Sequence, residues 1–341
     1  MERRLRHFIA GSCAIFAFGA CLTIYLYRSA GSRFTRLRPF ADVMVGPGTE
    51  IYCGRRSILR GPHQKVLSYS LYGVRGKSRA AGPYEQLISG IPEYVNKWYP
   101  GWVMRIYTNY SRENEQVASW MKTLEDKFPN LDFCHVENLP GIVGDIQTTQ
   151  SNGRVWRYLP MMDPLVDTFV SRDSDSPVSE RESAAVKEWM ESGYLFHAMK
   201  DHSAHHGPVF VGLWGAKVSQ NRSFVHYLGR KMLFESEPSN DGGLDQYLLH
   251  HVLWNEAQQH FVSPALIPTA ATASIEGHPP SLFQMVHASF NCDEFVGGAM
   301  RPYPTRREGG FWLGSGPRHH QFKQECPLKY RPKEHPDWVF C

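Results

Sequence analysis

Asp173 and Asp175 stand one residue apart in Val166–Ser176, V-D-T-F-V-S-R-D-S-D-S, directly after an apolar run. The run reads as a β-strand and the acidic string as the turn that ends it. Two carboxylates at i and i+2 on an irregular turn can converge on one hard dication, because Mg²⁺ and Mn²⁺ take oxygen ligands. A cation held at a strand's C-terminal end lies where open α/β sheets bind their ligands. A solvated loop can carry the same short string, so its surroundings have to decide. The nearby His202, His205 and His206, in K-D-H-S-A-H-H-G-P, lack the spacing that puts two imidazoles on one helix face for zinc.

The elements around this turn alternate in type. Lys65–Gly73, K-V-L-S-Y-S-L-Y-G, reads as a buried strand, as do Val103–Thr108, Leu131–Val136 and Phe196–Met199. Between them, Tyr84–Trp98 and Glu113–Phe128 carry apolar residues at helical spacing, although Gly90 and Pro92 threaten to break the first. Val155–Met162 reads as a short helix. Ser179 and Glu182 form a capping box that opens a helix with Val186, Trp189 and Met190 as its stripe, which accounts for Glu180 and Glu182 without chemistry. Val209–Val218, V-F-V-G-L-W-G-A-K-V, reads as an apolar strand. Gly212 and Gly215 in it permit close backbone approach by a ligand or mark a bulge. Asp241 and Asp245, in D-G-G-L-D-Q-Y-L-L-H-H-V-L-W, sit where a loop enters a helix, and N-capping alone would explain an acid there. Strands and helices in this order predict an α/β domain with a mostly parallel sheet covered by helices.

The 341 residues carry a net charge of +4, but residues 1–60 hold ten Arg against three acids. The rest of the chain is slightly acidic, and nothing in it suggests a nucleic-acid groove. Phe8–Tyr27 is an uncharged run of 20 residues, which as a helix spans about 30 Å, the hydrocarbon thickness of a bilayer. It reads as an uncleaved transmembrane anchor behind a short tail at 1–7, since a signal peptide has a shorter apolar core. Residues 28–64, punctuated by Gly and Pro, read as a stem; residues 65–311 form the domain and 312–341 a C-terminal extension. Asn109-Tyr110-Ser111 and Asn221-Arg222-Ser223 are both N-glycosylation acceptors. With five cysteines beyond the anchor, none in zinc spacing, they favour a single-pass type II protein with its body in the lumen of the Golgi or ER.

S-R-D-S-D-S, S-E-R-E-S-A-A-V-K-E-W, H-A-M-K-D-H and G-L-W-G together resemble a group of glycosyltransferase-like proteins with the fold of GT-A-type nucleotide-diphospho-sugar transferases. The resemblance covers roughly Lys65–Phe311 and is most distinctive from Phe169 to Gly215. It implies a divalent cation, Mn²⁺ or Mg²⁺, held by Asp173 and Asp175 and bridging the diphosphate of a nucleotide-sugar donor. His287, in M-V-H-A-S-F, would be a further metal ligand by the same likeness, although Ala288 stands where relatives are expected to carry an acid. The likeness extends donor contacts to Asp173 itself, to Arg172, to Tyr72 and Gly73 after the first strand, and to Trp214 and Gly215. Asp241 or Asp245 would be the catalytic acid that meets the reacting sugar, as base or as a hydroxyl holder. The implied partners are the nucleotide sugar and a glycan or other hydroxyl acceptor, with stereochemistry open. Two rivals remain: a non-catalytic luminal binding protein of the same fold, and a haloacid-dehalogenase-type phosphohydrolase with Asp173 as nucleophile. Pro177 stands where that second rival wants Thr or Val.

Overall fold

The computed structural model describes residues 51–73, 83–139, 153–200, 209–233 and 243–257, the strands at 283–287, 290–291 and 294–295, and residues 336, 337 and 339. The apolar run Phe8–Tyr27 lies outside these residues; among those described, no helix is long and apolar enough to cross a membrane.

A mixed sheet in the order β3-β2-β1-β4-β6-β5-β7 organises the domain. Its strands are β1 (Gln64–Leu71), β2 (Val103–Thr108), β3 (Leu131–His135), β4 (Val166–Ser171), β5 (Phe196–Lys200), β6 (Trp214–Ala216) and β7 (Phe283–His287). All neighbours are parallel except β6, which runs antiparallel to both β4 and β5. β1 sends the chain outward through β2 to β3 on one side and receives β4 on the other, so the connection order reverses between β1 and β4. Such a reversal leaves a crevice at the strands' C-terminal ends, where ligands of open α/β sheets bind.

Side chains alternate between the faces of these buried strands. Leu67, Tyr69, Met104, Ile106 and Val170 meet α2 (Pro83–Trp98), α3 (Glu115–Lys127) and α4 (Glu180–Glu191) on one face. A 3₁₀ helix (Gly153–Met162), α5 (Arg222–Leu233) and α6 (Leu244–Leu248), which continues as a π-helical turn to Trp254, cover the other. α2 runs through Gly90 and Pro92 unbroken, with Ile88, Ile91 and Val95 at 0–2% exposure holding it on the sheet. Asn114 caps α3 by accepting from the amides of Gln116 and Val117.

Two sequence expectations change here. Only Trp214–Ala216 of Val209–Val218 is strand, because the chain turns at Phe210–Leu213 before it can pair. The domain also starts earlier than Lys65. α1 (Arg55–Arg60) lies in the segment expected as stem and is tied to the body by a disulfide between Cys53 and Cys134 of β3. Ile51 is fully buried and its amide donates to Met162. Arg56 and Arg60 reach Asp132 of β3, which is 1% exposed, at 3.3 and 2.8 Å.

Candidate functional site

Strand alternation separates the residues of S-R-D-S-D-S. Arg172 turns to the face covered by α2 and α4, where its Nε donates to Glu182 at 2.5 Å and its Nη1 to the carbonyls of Ser171 and Trp214. Tyr99 donates to the same Glu182 oxygen at 2.7 Å. Glu182 therefore does more than occupy N3 of a capping box. Ser179 accepts from the Glu182 amide, but the carboxylate is taken by Arg172 and Tyr99. Arg172 is 2% exposed, so this arrangement removes it from the donor contacts expected of it and makes it the anchor of the acidic turn.

Asp173 turns to the opposite face. Its Oδ1 receives Arg157 Nη1, whose other branch, Nη2, donates to Asp245 Oδ2 at 3.4 Å. Arg157 is fixed from behind by the carbonyls of Arg154 and Arg172, at 3.0 and 3.3 Å. Burial opposes its charge, but Asp173, Tyr158 and Asp245 outweigh that and push its pKa up, so it stays cationic. Asp245 is held in turn: its Oδ1 accepts the Gln246 amide at 2.9 Å, and Tyr158 donates to its carbonyl at 3.4 Å. Burial raises the Asp245 pKa, against the pull of Arg157 and the Gln246 amide. The sequence reading did not single out Arg157. A cation inside the apolar run V-W-R-Y-L-P-M-M was the available signal.

Gly212 closes over this carboxylate. A Cβ built there would stand 2.0 Å from Asp173 Oδ2. The loop carrying Gly212 is pinned by Gln246, which accepts from the Val211 amide at 3.3 Å and donates to Val209 at 2.7 Å, while Ser171 donates to Val211 at 2.6 Å. Gly212 thus gives room to a protein carboxylate rather than to a ligand. Gly215 likewise faces protein: its added Cβ would stand 2.5 Å from the Phe169 carbonyl. Trp214 is fully buried, its ring 5.2 Å from Phe169 and 5.4 Å from Tyr158. Both belong to the core rather than to donor contacts.

Across the switch point, Tyr72 and Gly73 follow β1. Tyr72 is 39% exposed, with Trp156 edge-on at 6.0 Å, the Arg154 guanidinium 6.0 Å from its ring and Gly153 packed beneath it. Its pKa is raised, by burial first, against Arg154 and Arg157. Gly73 exchanges two hydrogen bonds with the Asn109 side chain. The structure therefore brings Tyr72, Gly73, Asp173, Asp175 and Asp245 to one edge of the sheet. His287 ends β7 on the same edge, in register with Lys200, three strands and so about 14 Å from β4. Asp241 lies outside the described residues.

Asp175 is half-buried beside Asp173, and burial followed by the Asp173 charge raises its pKa. Two oxygen-donor groups, one under like-charge stress, fit a hard dication. Among the described residues no third His, Cys, Asp or Glu joins them. A separate cleft of about 470 Å³, lined by Lys65, Trp98, Trp102 and Lys187 among others, includes the opposite end of β1.

No family model matches the chain, and no curated protein matches it. Among solved structures the chain is similar to 4-diphosphocytidyl-2C-methyl-D-erythritol synthase from Anaerococcus prevotii, at 10% identity and a TM-score of 0.37, over 68% of this chain and 89% of that one. This is a weak similarity in fold and says nothing of the chemistry here.

Proposed function

We propose that this chain is a divalent-cation-dependent glycosyltransferase that takes a nucleotide-diphosphate sugar as donor and a glycan or other hydroxyl as acceptor. One observation carries the reading. The Asp173–Arg157–Asp245 chain and the Tyr72–Gly73 turn converge on the C-terminal ends of β4 and β1, on either side of the switch point. Asp173 and Asp175 would hold the cation, which when bound supplies Lewis-acid stabilisation of the departing diphosphate. Arg157 adds a fixed positive charge where the negative charge of that leaving group grows, pre-aimed because Arg154, Arg172 and Asp245 hold it. Asp245 acts as the holder of Arg157, since its side chain is 6% exposed and points at the guanidinium. Tyr72 offers a half-exposed ring for the nucleoside. The body resides in the lumen of the Golgi or ER behind the Phe8–Tyr27 anchor; the Cys53–Cys134 pair suits an oxidising compartment.

Calorimetric titration of a nucleoside diphosphate, with Mn²⁺ and with chelator, tests the site. Asp175→Asn should weaken the Mn²⁺-dependent binding by about 10-fold or more, the scale of disturbing a metal's carboxylates. Arg157→Ala should weaken binding with chelator as well, because its charge does not depend on the cation. Binding indifferent to Mn²⁺ and to both substitutions would end this reading. Binding without turnover of any nucleotide sugar would favour the luminal binding protein.

A further inference from the structure

The two glycosylation triplets differ in which atoms of the Asn amide the fold uses. Asn109 follows β2 directly, and Leu71 at the end of β1 is in register with Thr108 at the end of β2. Past that point the Asn109 side chain substitutes for a further rung of the ladder. The Gly73 amide donates to Asn109 Oδ1 and Asn109 Nδ2 donates to the Gly73 carbonyl, both at 3.1 Å. The middle residue, Tyr110, is 6% exposed, and its hydroxyl donates to buried Glu85. A Cβ on Gly73 would stand 3.0 Å from the Tyr110 ring, so any larger residue would press on the triplet's middle side chain. Ser111 accepts from the Glu113 amide. All three side chains of the first triplet are thus committed to the fold.

Asn221 is differently placed. It stands before α5, where its Oδ1 accepts from the Phe224 amide and from the Ser223 hydroxyl, both at 3.3 Å. Those contacts use only the carbonyl oxygen of the amide. N-linked modification forms a bond from Nδ2 to C1 of a sugar, breaks the C1–O bond to a lipid diphosphate donor and releases one amide proton. Oδ1 keeps its lone pairs, so the helix cap survives the modification. At Asn109 the same bond would set a saccharide on the nitrogen that donates to the Gly73 carbonyl and holds the turn next to Tyr72.

We infer that Asn109 is a positioning residue for the Tyr72–Gly73 turn, and that Asn221 rather than Asn109 carries the N-linked glycan. The inference rests on the luminal and nucleotide-binding readings above, so its test keeps them apart. Full-length chain is expressed in secretory-competent eukaryotic cells as wild type, Ser111→Ala, Ser223→Ala, Asn109→Asp and Asn109→Ala. Endoglycosidase should shift the mobility of wild type and Ser111→Ala but not of Ser223→Ala. Nucleoside diphosphate binding in Mn²⁺ should weaken about 10-fold in Asn109→Ala, the scale of two lost hydrogen bonds. The loss should be smaller in Asn109→Asp, which still accepts from Gly73, and Ser111→Ala should bind as wild type. Melting temperature, measured alongside, separates loss of the turn from loss of the fold. A shift abolished by Ser111→Ala, or wild-type binding by a folded Asn109→Ala, overturns the inference. Absence of any shift in wild type overturns the glycan half together with luminal placement, while the binding arm still decides the role of Asn109. Absence of nucleotide binding in wild type overturns that role together with the transferase reading, while the mobility arm still decides which Asn is modified.

Discussion

Arg157 supplies the positive charge that Asp173 and Asp245 share. Among the described residues Asp175 has no such ion pair, and Ser176 donates to its Oδ1 at 3.4 Å. Its raised pKa, from burial and the Asp173 charge, means that the fold disfavours its ionised form. A carboxyl raised in this way stabilises the protein fully at pH below its unfolded value, and that contribution is lost as pH rises through the folded value. Without metal, Asp175→Asn should therefore melt higher than wild type at pH 7, and the gap should close by pH 3. Saturating Mn²⁺ at pH 7 should reverse the order, since only wild type gains from binding. Calorimetric melts of both proteins at the two pH values check this. Asp173 and Asp175 stood out in the sequence because they lie one residue apart at the end of an apolar run. Arg172, Trp214 and Gly215 were misread because burial, not type, decides whether a side chain meets a ligand. Gly215 and Gly212 do answer to close approach, but to approach by Phe169 and Asp173.

At the scale of elements, period and punctuation fixed the helices and strands that carry a buried stripe. Val103–Thr108 falls where the apolar letters place it, and α2 overrides Pro92 because three aliphatic side chains anchor it. The same punctuation misjudged residues 51–64. Gly54, Gly61 and Pro62 look like stem, yet the segment between them covers edge strand β3 through long-range contacts that no local pattern announces. The disulfide joins residues 81 apart, worth about 4–5 kcal/mol in the chain-entropy account. Removing Arg56 and Arg60 would leave Asp132 as a buried carboxylate without its cations, at a cost of about 3–5 kcal/mol. A body beginning at Ile51 should fold and melt cooperatively. One beginning at Lys65 should be insoluble or melt at least 10 °C lower, since 1 kcal/mol shifts the midpoint of a domain this size by roughly 2–4 °C. Equal melting curves for the two truncations would show that the segment is dispensable.

For the molecule as a whole, the anchor carries its own prediction. If Phe8–Tyr27 spans a bilayer, full-length chain should stay with membranes through alkaline carbonate extraction, and the body from Ile51 should not. Release of the full-length chain would remove the anchor from the architecture. The disulfide has a further consequence, in the order in which the protein is made. Cys53 leaves the ribosome 81 residues ahead of its partner, about 4–16 s at 5–20 residues per second. Between the two cysteines lie β1, β2 and the first three residues of β3, so their bond can form only once that whole stretch has been made. Asp173 is translated later still. Nascent chain therefore has the means to lock its first half-sheet, edge covered and Tyr72 turn in place, before the acidic turn that completes the crevice has been synthesised.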